Sequence, residues 1–162
     1  MKVNFGGNPV ELEGRVLHLG DKLENFSGVK NDLSTFNLSD LKGRKLILAV
    51  PSLDTPVCDF EVRRFNEEAT KISDVSVVVV SMDLPFAQAR WCGAAGVENV
   101  LTVSDFRERD FAQKSGTYLS GIGLLARALF LLDEENRVTY LEYVDEVTAH
   151  PNYNAALEAA RS

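Results

Sequence analysis

The sequence contains few of the residue types that bind metals or build disulfide networks. Its 162 residues include two cysteines, two histidines and one tryptophan. The histidines, His18 and His150, are isolated in the chain, and with two cysteines they do not resemble a zinc cluster. There is no Cys-x-x-Cys motif of a thioredoxin or disulfide isomerase, no glycine-rich phosphate loop and no dinucleotide-binding fingerprint. The sequence therefore implies no metal, flavin, haem or other cofactor.

Positive charge is also scarce. Lysine and arginine together number 17, against 24 aspartates and glutamates, which gives a formal net charge of -7 at pH 7. No basic run is longer than Arg63–Arg64, so the chain is poorly suited to holding a phosphate backbone. We therefore expect no nucleic-acid partner.

Long apolar runs are missing too. Residues Met1–Gly14 contain no apolar stretch of the kind that an export signal needs. The longest nearly apolar run, Leu119–Leu132, is too short to span a bilayer and carries Arg127. We therefore expect a cytoplasmic protein with no membrane partner. A permanent structural disulfide is not expected in a reducing cytosol, so Cys58 and Cys92 are either inert core residues or redox groups.

The composition predicts one globular domain over residues 1–162. Hydrophobic residues make up 45% of the chain and charged residues 25%, and no repeat or linker divides it. The N-terminus predicts a β-hairpin, with strands Lys2–Phe5 and Val10–Glu13 on either side of a turn at Gly6–Pro9. Residues Asp21–Leu41 look irregular or short-stranded.

A strand, a helix and a second strand follow one another in the middle of the chain. Lys45–Val50 and Val75–Val80 are continuous apolar runs typical of buried strands, and between them apolar residues recur at helical spacing over Val57–Ile72. This order predicts a right-handed βαβ crossover with parallel strands. The other predicted elements are turns at Ser27–Gly28, Asn31–Asp32 and Asp133–Asn136, helices Asp83–Gly96, Asp105–Gly116 and Asn152–Arg161, and strands Asn99–Val103, Leu125–Leu132 and Arg137–Val144.

Two of these helices carry capping signals. Asp83 is the expected N-cap of the helix Asp83–Gly96, and Asp105–Glu108 predicts a capping box at the start of the helix Asp105–Gly116. Gly96 and Gly116 are expected to end them. The alternation of strands and helices, followed by a late antiparallel hairpin, predicts an α/β domain with a mixed central sheet flanked by helices.

The segment Pro51–Cys58, between the first buried strand and its helix, has the features of a thiol site. It lies at the carboxyl end of a parallel strand, where open α/β sheets place ligands. Thr55 and Pro56 suit the N-cap and first helical position, so Cys58 falls in the first turn. Free N–H groups and the helix dipole there would stabilise a thiolate and lower the thiol pKa. Cys58 is therefore a candidate nucleophile, and the alternative is a small apolar residue packed under the helix.

Arg127 is the second candidate site residue. It stands between apolar residues in the segment Gly123–Phe130. A buried guanidinium carries a large free-energy penalty unless it finds an anion or carbonyl groups. Its planar fork could hold a thiolate and an oxygen-rich substrate together. The alternatives are a snorkelling side chain and an ordinary salt bridge.

These residues occur in an arrangement that resembles a known family. The pattern Pro-x-x-x-Thr-x-x-Cys, here Pro51, Thr55 and Cys58, together with the distant Arg127, resembles the active-site signature of the peroxiredoxins. The resemblance narrows to the bacterial thiol peroxidases, an atypical two-cysteine subgroup, over the segments Val57–Asn66, Asp83–Gly93 and Val144–Val147. It implies a thioredoxin-like fold with an added N-terminal hairpin, and a homodimer.

The resemblance also implies a role for each site residue. Cys58 would be the peroxidatic cysteine, whose thiolate attacks one peroxide oxygen and becomes a sulfenic acid. Thr55 and Arg127 would donate hydrogen bonds to the reacting oxygens, and Pro51 would shield the sulfur from water. Cys92 would be the resolving cysteine, which forms an intramolecular disulfide with Cys58 that thioredoxin then reduces.

Disulfide formation requires Cys58 and Cys92 to come close together during this cycle. Cys58 and Cys92 are predicted on separate helices, whereas a disulfide needs Cα atoms within about 7 Å. We therefore expect the first turn around Cys58, the Cys92 helix, or both, to unwind partly in each cycle, and Trp91 to report that change by fluorescence. Without the resemblance, Cys92 also fits an ordinary helix residue that packs beside Ala89.

The expected function is a thioredoxin-dependent reductase of hydrogen peroxide and organic hydroperoxides. One alternative is a redox sensor, in which peroxide oxidises Cys58 and the resulting disulfide passes to a client protein. Another is an α/β binding module whose two thiols are inert. Catalytic turnover with thioredoxin distinguishes the enzyme from both.

Overall fold

Strands and helices alternate along most of the chain in the computed structural model, which describes residues 1–72 and 74–162. The strands are β1 (Lys2–Phe5), β2 (Asn8–Glu13), β3 (Ser27–Lys30), β4 (Thr35–Asn37), β5 (Arg44–Ala49), β6 (Val75–Ser81), β7 (Val100–Ser104), β8 (Tyr118–Leu119), β9 (Ala128–Leu132) and β10 (Val138–Tyr143). The α-helices are α1 (Pro56–Ala69), α2 (Pro85–Ala95), α3 (Asp110–Ser115) and α4 (Tyr153–Arg161). Within the described ranges, none of the helices combines the length and the apolar character needed to cross a membrane.

The larger sheet has the strand order β10-β9-β5-β6-β7-β3-β4. Strands β5, β6 and β7 are parallel neighbours. Strand β9 runs antiparallel to β5 and pairs with β10, and β3 runs antiparallel to β7. The predicted βαβ crossover is confirmed as β5-α1-β6, and so is the α/β class with a mixed sheet.

The two faces of this sheet are both covered, which explains the continuous apolar runs in its strands. On one face, α1 and α4 pack against a buried cluster that includes Leu46, Leu48, Val77, Val79 and Leu129. The alternate residues of the same strands pack on the other face against a second cluster, which includes Ile47, Ala49, Val78, Val80 and Phe130. Because both parities are buried, the sequence of β5 and β6 shows no alternation of polar and apolar residues.

The predicted N-terminal hairpin is confirmed, although its turn is shorter than predicted, because Asn8 and Pro9 already belong to β2. Strands β1 and β2 pair antiparallel in a register that places Val3 opposite Val10. The turn uses Gly6 and Gly7 with φ values of 59° and 85°, a region that favours glycine. Strand β8 adds to β2, so the hairpin belongs to a small second sheet.

The predicted N-caps of the second and third helices are wrong. Helix α2 begins at Pro85 after an N-cap at Leu84, because the Asp83 side chain is used in hydrogen bonds to other segments. Helix α3 begins at Asp110. The Asp105 carboxylate still accepts hydrogen bonds from two N–H groups in the first turn of α3, but it does so across a loop rather than as an adjacent cap.

The turn predicted at Ser27–Gly28 is also wrong, because both residues lie in β3. A Cβ atom on Gly28 would collide with the side chain of Val103 on β7. Glycine is therefore needed there for the close approach of two strands rather than for a turn. The turn at Asn31–Asp32 and the start of α4, capped by Asn152, are as predicted.

Candidate active site

The loop between β5 and α1 is fixed by a carboxylate from the neighbouring strand. Asp83, which follows β6, accepts hydrogen bonds from the hydroxyl of Ser52 (2.7 Å) and the N–H of Leu53 (2.9 Å). Pro51, at the start of this loop, is buried, and so is Leu53. The Asp83 side chain thus holds the loop that leads to Cys58 at the carboxyl edge of the parallel strands. The sequence had instead predicted Asp83 as a helix N-cap.

Helix α1 begins as the sequence predicts. Thr55 is the N-cap, Pro56 occupies the first turn, and the Thr55 Oγ1 atom accepts the N–H of Cys58 at 3.4 Å. Cys58 is completely buried and belongs to the apolar cluster under α1. Its position in the first turn places the sulfur near the positive end of the helix dipole. The structure therefore combines both interpretations of Cys58, since the residue is packed in the core and also lies at a helix N-terminus.

The hydroxyl of Thr55 has a defined orientation. It donates to the carbonyl of Ser52 at 3.1 Å while it accepts from the N–H of Cys58. Its single proton is therefore committed, but one oxygen lone pair remains. In this arrangement Thr55 is suited to accept a hydrogen bond from a peroxide O–H group. The expectation that Thr55 donates to the peroxide stays a prediction, and it requires the hydroxyl to turn.

Arg127 is buried and finds the two kinds of partner that the sequence demands. Its Nη1 atom donates to Oε1 of Glu61 at 2.9 Å, and its Nε atom donates to the carbonyl of Val147 at 2.8 Å. Both charged side chains are almost fully inaccessible to solvent, at 1% and 0% exposure. In the described part of the chain, the other carboxylate oxygen of Glu61 has no hydrogen-bond partner. In the described residues, Oε2 of Glu61 and the Nη2 group of Arg127 are therefore available to bond other groups at the site.

The pKa values of Glu61 and Arg127 depend on the burial of both groups and on the charge that each places beside the other. Burial raises the pKa of Glu61 to about 7, against the opposing effect of the Arg127 cation. Burial by itself would lower the pKa of Arg127, but the charges of Cys58 and Glu61 outweigh it and raise that pKa above its ordinary value. Arg127 thus lies beside both the Glu61 carboxyl group and the sulfur of Cys58, which is the candidate nucleophile.

Glu61 is a site residue that the sequence analysis missed. It belongs to α1, whose buried residues are Cys58, Glu61, Val62 and Phe65. These positions have the spacing of the apolar face of a helix, so a glutamate among them was a detectable signal. A charged residue on a buried face needs a partner of opposite charge, and Arg127 is the apolar-flanked cation that supplies it.

Cys92 occupies a separate environment on α2. Its Sγ atom lies 3.6 Å from the hydroxyl of Thr102 on β7, and that hydroxyl donates to Asn31 Oδ1 at 2.8 Å. Cys58 follows β5, which is two strand positions from β7, or roughly 10 Å along the sheet. In the described residues both cysteines are free thiols. The two sulfurs therefore lie in different environments, that of Cys58 in the core under α1 and that of Cys92 beside Thr102.

The helices that carry the two cysteines touch each other. Trp91 donates its Nε1 hydrogen to Oδ1 of Asp59 at 2.9 Å, which connects the residue before Cys92 to the residue after Cys58. The Arg63 guanidinium adds a bond to the carbonyl of Ala95 at 3.3 Å. Trp91 is thus well placed to report movement of one helix against the other.

An open apolar groove adjoins the start of α1. It is lined by Pro56, Val57, Phe60, Arg64, His150 and Tyr153. Phe60 is half exposed, and its ring lies edge-on to that of His150 with 5.3 Å between centroids. His150 is not isolated in space, because its Nδ1 atom is 2.7 Å from the Tyr153 hydroxyl. No sequence signal pointed to the contact between Phe60 and His150, since these two residues lie far apart in the chain.

The structure brings most of the predicted site residues together. The loop of Pro51 and Thr55, the first turn with Cys58, and the buried Arg127 meet at the carboxyl end of β5. Cys92 lies apart from them on α2. The arrangement can hold an anionic sulfur between a helix N-terminus and a guanidinium, which is the chemistry of an activated thiol nucleophile.

Comparison with known proteins agrees with this chemistry. Residues 18–157 match the Redoxin family. The chain is 49% identical over 162 residues to the thiol peroxidase of Clostridium acetobutylicum, covering 100% of this chain and 99% of the relative. It is also 49% identical to the thiol peroxidase of Bacillus subtilis, over 99% of this chain and 97% of the relative.

Solved structures show the same relationship. A peroxiredoxin-like protein from Aquifex aeolicus superposes with a TM-score of 0.91 at 42% identity, covering 99% of this chain and 95% of the other. The thiol peroxidase from Chromobacterium violaceum superposes with a TM-score of 0.89 at 22% identity, over 98% and 94% of the two chains. The latter identity is low, so that likeness shows the shared fold alone.

Proposed function

Because the chain belongs to the thiol peroxidases of the redoxin family, and is accordingly a thiol-dependent peroxidase, we propose that Cys58 is its peroxidatic cysteine. One observation carries the proposal: the sulfur lies in the first turn of α1, capped by Thr55, where a buried guanidinium faces it. The thiolate is the reactive form of cysteine, and the N-terminus of α1 and the Arg127 guanidinium both place positive charge beside this sulfur.

In the first step the Cys58 thiolate attacks one oxygen of the peroxide. A sulfur–oxygen bond forms as the oxygen–oxygen bond breaks, so the cysteine is oxidised to a sulfenic acid. The other oxygen leaves as hydroxide or alkoxide and takes up a proton to give water or an alcohol. Charge develops on both oxygens in the transition state, so preorganised hydrogen-bond donors at that place have the largest effect on the rate.

Three residues arrange this step. Arg127 uses its Nε and Nη1 atoms for Val147 and Glu61, and in the described residues its Nη2 group is left to donate to the sulfur and the peroxide. Thr55 orients the peroxide through its remaining lone pair or, after rotation, through its hydroxyl hydrogen. Pro51 closes the pocket on the side of the loop and excludes water without adding a donor.

In the second step Cys92 is the resolving cysteine. Its sulfur attacks the sulfenic acid of Cys58, a disulfide forms, and the departing hydroxide is protonated to water. The different surroundings of the two sulfurs support a conformational change before they bond, since Cys58 is enclosed in the core and Cys92 lies beside Thr102 on β7. In the proposed cycle the first turn of α1, helix α2, or both unwind partly before the disulfide forms.

The remaining partners follow from the same chemistry. A dithiol protein of the thioredoxin type reduces the Cys58–Cys92 disulfide through a mixed disulfide and returns both thiols. The groove at Phe60 and Tyr153 adjoins the site and offers apolar surface to the carbon chain of an organic hydroperoxide, so these and hydrogen peroxide are the proposed substrates. The family resemblance supports a homodimer, and a cycling disulfide suits a reducing, cytoplasmic compartment.

The test is turnover in a coupled assay. NADPH consumption is measured with thioredoxin, thioredoxin reductase and a hydroperoxide, with and without the protein. We expect many turnovers per molecule. If each molecule reacts with only one equivalent of peroxide and NADPH consumption stays at the uncatalysed rate, the enzyme proposal fails and the redox-sensor alternative gains support.

A further inference from the structure

The N-terminal hairpin contacts the segment that follows β10. The N–H of Asn4 donates to the carbonyl of Asp145 at 2.7 Å, and the carbonyl of Asn4 accepts the N–H of Val147 at 2.8 Å. Asn4 and Glu146 form a parallel bridge. The hairpin thus supplies the hydrogen-bonding partner for the backbone of residues 145–147.

The carboxylate of Glu146 fastens this contact to the turn of the hairpin. Its two oxygens accept the N–H groups of Gly6 (3.0 Å) and Gly7 (2.8 Å). One oxygen also accepts the N–H and the hydroxyl of Thr148, at 3.0 and 2.8 Å. These bonds, those from Thr148 above all, lower the pKa of Glu146 to about 2. The carboxylate therefore stays ionised at any pH at which the enzyme would work.

The same segment holds Arg127. The carbonyl of Val147 accepts the Nε hydrogen of Arg127 at 2.8 Å, and the carbonyl of Arg127 accepts the N–H of Val144 at 3.0 Å. Val147 is completely buried. Its N–H group is bonded to the hairpin and its carbonyl group to the guanidinium, so one peptide segment connects the two.

We propose that Glu146 is a positioning residue, which fixes the N-terminal hairpin against residues 145–147 so that the Val147 carbonyl orients the Arg127 guanidinium toward Cys58. This inference rests on the proposed function, because the orientation matters only if Arg127 acts on the thiolate and the peroxide. The inference gives the hairpin an indirect role in catalysis, since among the described residues none from the hairpin contacts Cys58. The effect is one of geometry, since a guanidinium fork stabilises a transition state only where its hydrogens point at the reacting atoms.

The test begins with Glu146→Ala, which removes all four acceptor contacts at an accessible position. Asp32→Ala is the matched control, because Asp32 also accepts a backbone N–H and a hydroxyl, both from Ser34, but lies in the β3–β4 turn. Rapid mixing with peroxide gives the rate constant for oxidation of Cys58. We expect Glu146→Ala to lower it about tenfold, as a modest misplacement of a catalytic group does. Asp32→Ala should leave it unchanged, and neither variant should alter reduction of the preformed disulfide by thioredoxin.

A double-mutant cycle distinguishes positioning from a general loss of structure. In an Arg127→Lys background the guanidinium is gone, so adding Glu146→Ala should change the oxidation rate by less than about twofold. Glu146→Gln keeps the shape and one acceptor oxygen, so it should fall between wild type and Glu146→Ala, and it replaces the alanine variant if that does not fold.

Each outcome bears on a different statement. If Arg127→Lys reacts at the wild-type rate, the proposed role of Arg127 is wrong and the inference falls with it. If Arg127→Lys is slow but both Glu146 variants react like wild type, or if the two losses multiply in the double variant, the positioning role alone is overturned.

Discussion

The two cysteines lie on helices that are anchored very differently. Helix α1 spans 14 residues, starts at a side-chain cap and buries Cys58 with three further residues, one of them paired to Arg127. Helix α2 spans 11 residues, has no side-chain hydrogen bond at its N-cap and buries only Pro85 and Gln88 among its described residues.

This contrast predicts which of the two helices detaches more readily from the rest of the protein. Apolar burial is the main source of helix stability in a folded protein, and α2 has little of it. Its attachment depends largely on polar contacts, such as those of Gln88 to Ser81 and Val103 and that of Trp91 to Asp59. We therefore expect the free-energy cost of detaching α2 to be lower than that of unwinding α1 beyond its first turn. The α1 site would stay formed for the attack on peroxide, while α2 delivers the second sulfur.

The largest expected effect is that of Cys58→Ser. A hydroxyl is not ionised at neutral pH and cannot replace the thiolate, so peroxide reduction should fall to the uncatalysed rate in the coupled NADPH assay. Cys92→Ser is the control in a direct peroxide assay, where it should still consume one equivalent of peroxide while Cys58→Ser consumes none. Turnover by Cys58→Ser would show that the nucleophile is not on α1.

Cys92→Ser should lose the thioredoxin-linked cycle while keeping the first oxidation. Mass spectrometry after one equivalent of peroxide should show loss of two hydrogens in wild type and a gained oxygen in the variant. Without a resolving thiol, Cys58 should also over-oxidise more readily to sulfinic acid. Normal cycling of this variant with thioredoxin would mean that α2 does not supply the resolving group.

Glu61→Gln tests the electrostatic anchor of α1. We expect kcat/KM for peroxide to fall about tenfold, less than the roughly 100-fold cost of losing a direct transition-state donor. The pKa of Glu61 is raised to about 7 in the fold from 4.5, so the fold binds its proton more tightly than the unfolded chain. Its stabilising contribution is complete below about pH 4.5 and is lost as the pH rises through about 7.

Urea unfolding at pH 5 and pH 8 measures that contribution. Wild type should lose more free energy of unfolding between these pH values than Glu61→Gln does. Asp105, whose pKa burial raises to about 6, is present in both proteins and cancels from the comparison. Equal losses in the two proteins would show that Glu61 stays ionised across this range.

The smallest expected effect concerns the contact between the two helices. Trp91→Phe removes the hydrogen bond to Asp59 but keeps an aromatic ring, so α2 should detach more often. Alkylation of Cys92 should become about two- to threefold faster, since the lost bond is partly exposed to water. Phe86→Leu is the matched control, because Phe86 is on the same helix and 66% exposed. A Trp91→Phe rate no faster than the Phe86→Leu rate would indicate that the contact does not hold α2.

Local sequence patterns predicted the elements that have a local cause. The hairpin, the βαβ crossover and the Thr55–Pro56 start of α1 were all predicted correctly, because turn residues, apolar periodicity and capping act over a few positions. The cap at Asp83 was predicted wrongly for the opposite reason. Its carboxylate is used by the loop after β5, and nothing near Asp83 in the chain indicates that partner.

The sequence by itself determined the chemistry available to this protein: one thiol in the first turn of a helix, a second thiol further on, and an arginine that could not remain unpaired among apolar neighbours. Only the tertiary structure decided which groups those residues meet. The pairing of Glu61 with Arg127, and the support of Arg127 by Val147 and the N-terminal hairpin, join segments far apart in the chain. Such contacts arise from strand order and packing, which no local pattern encodes.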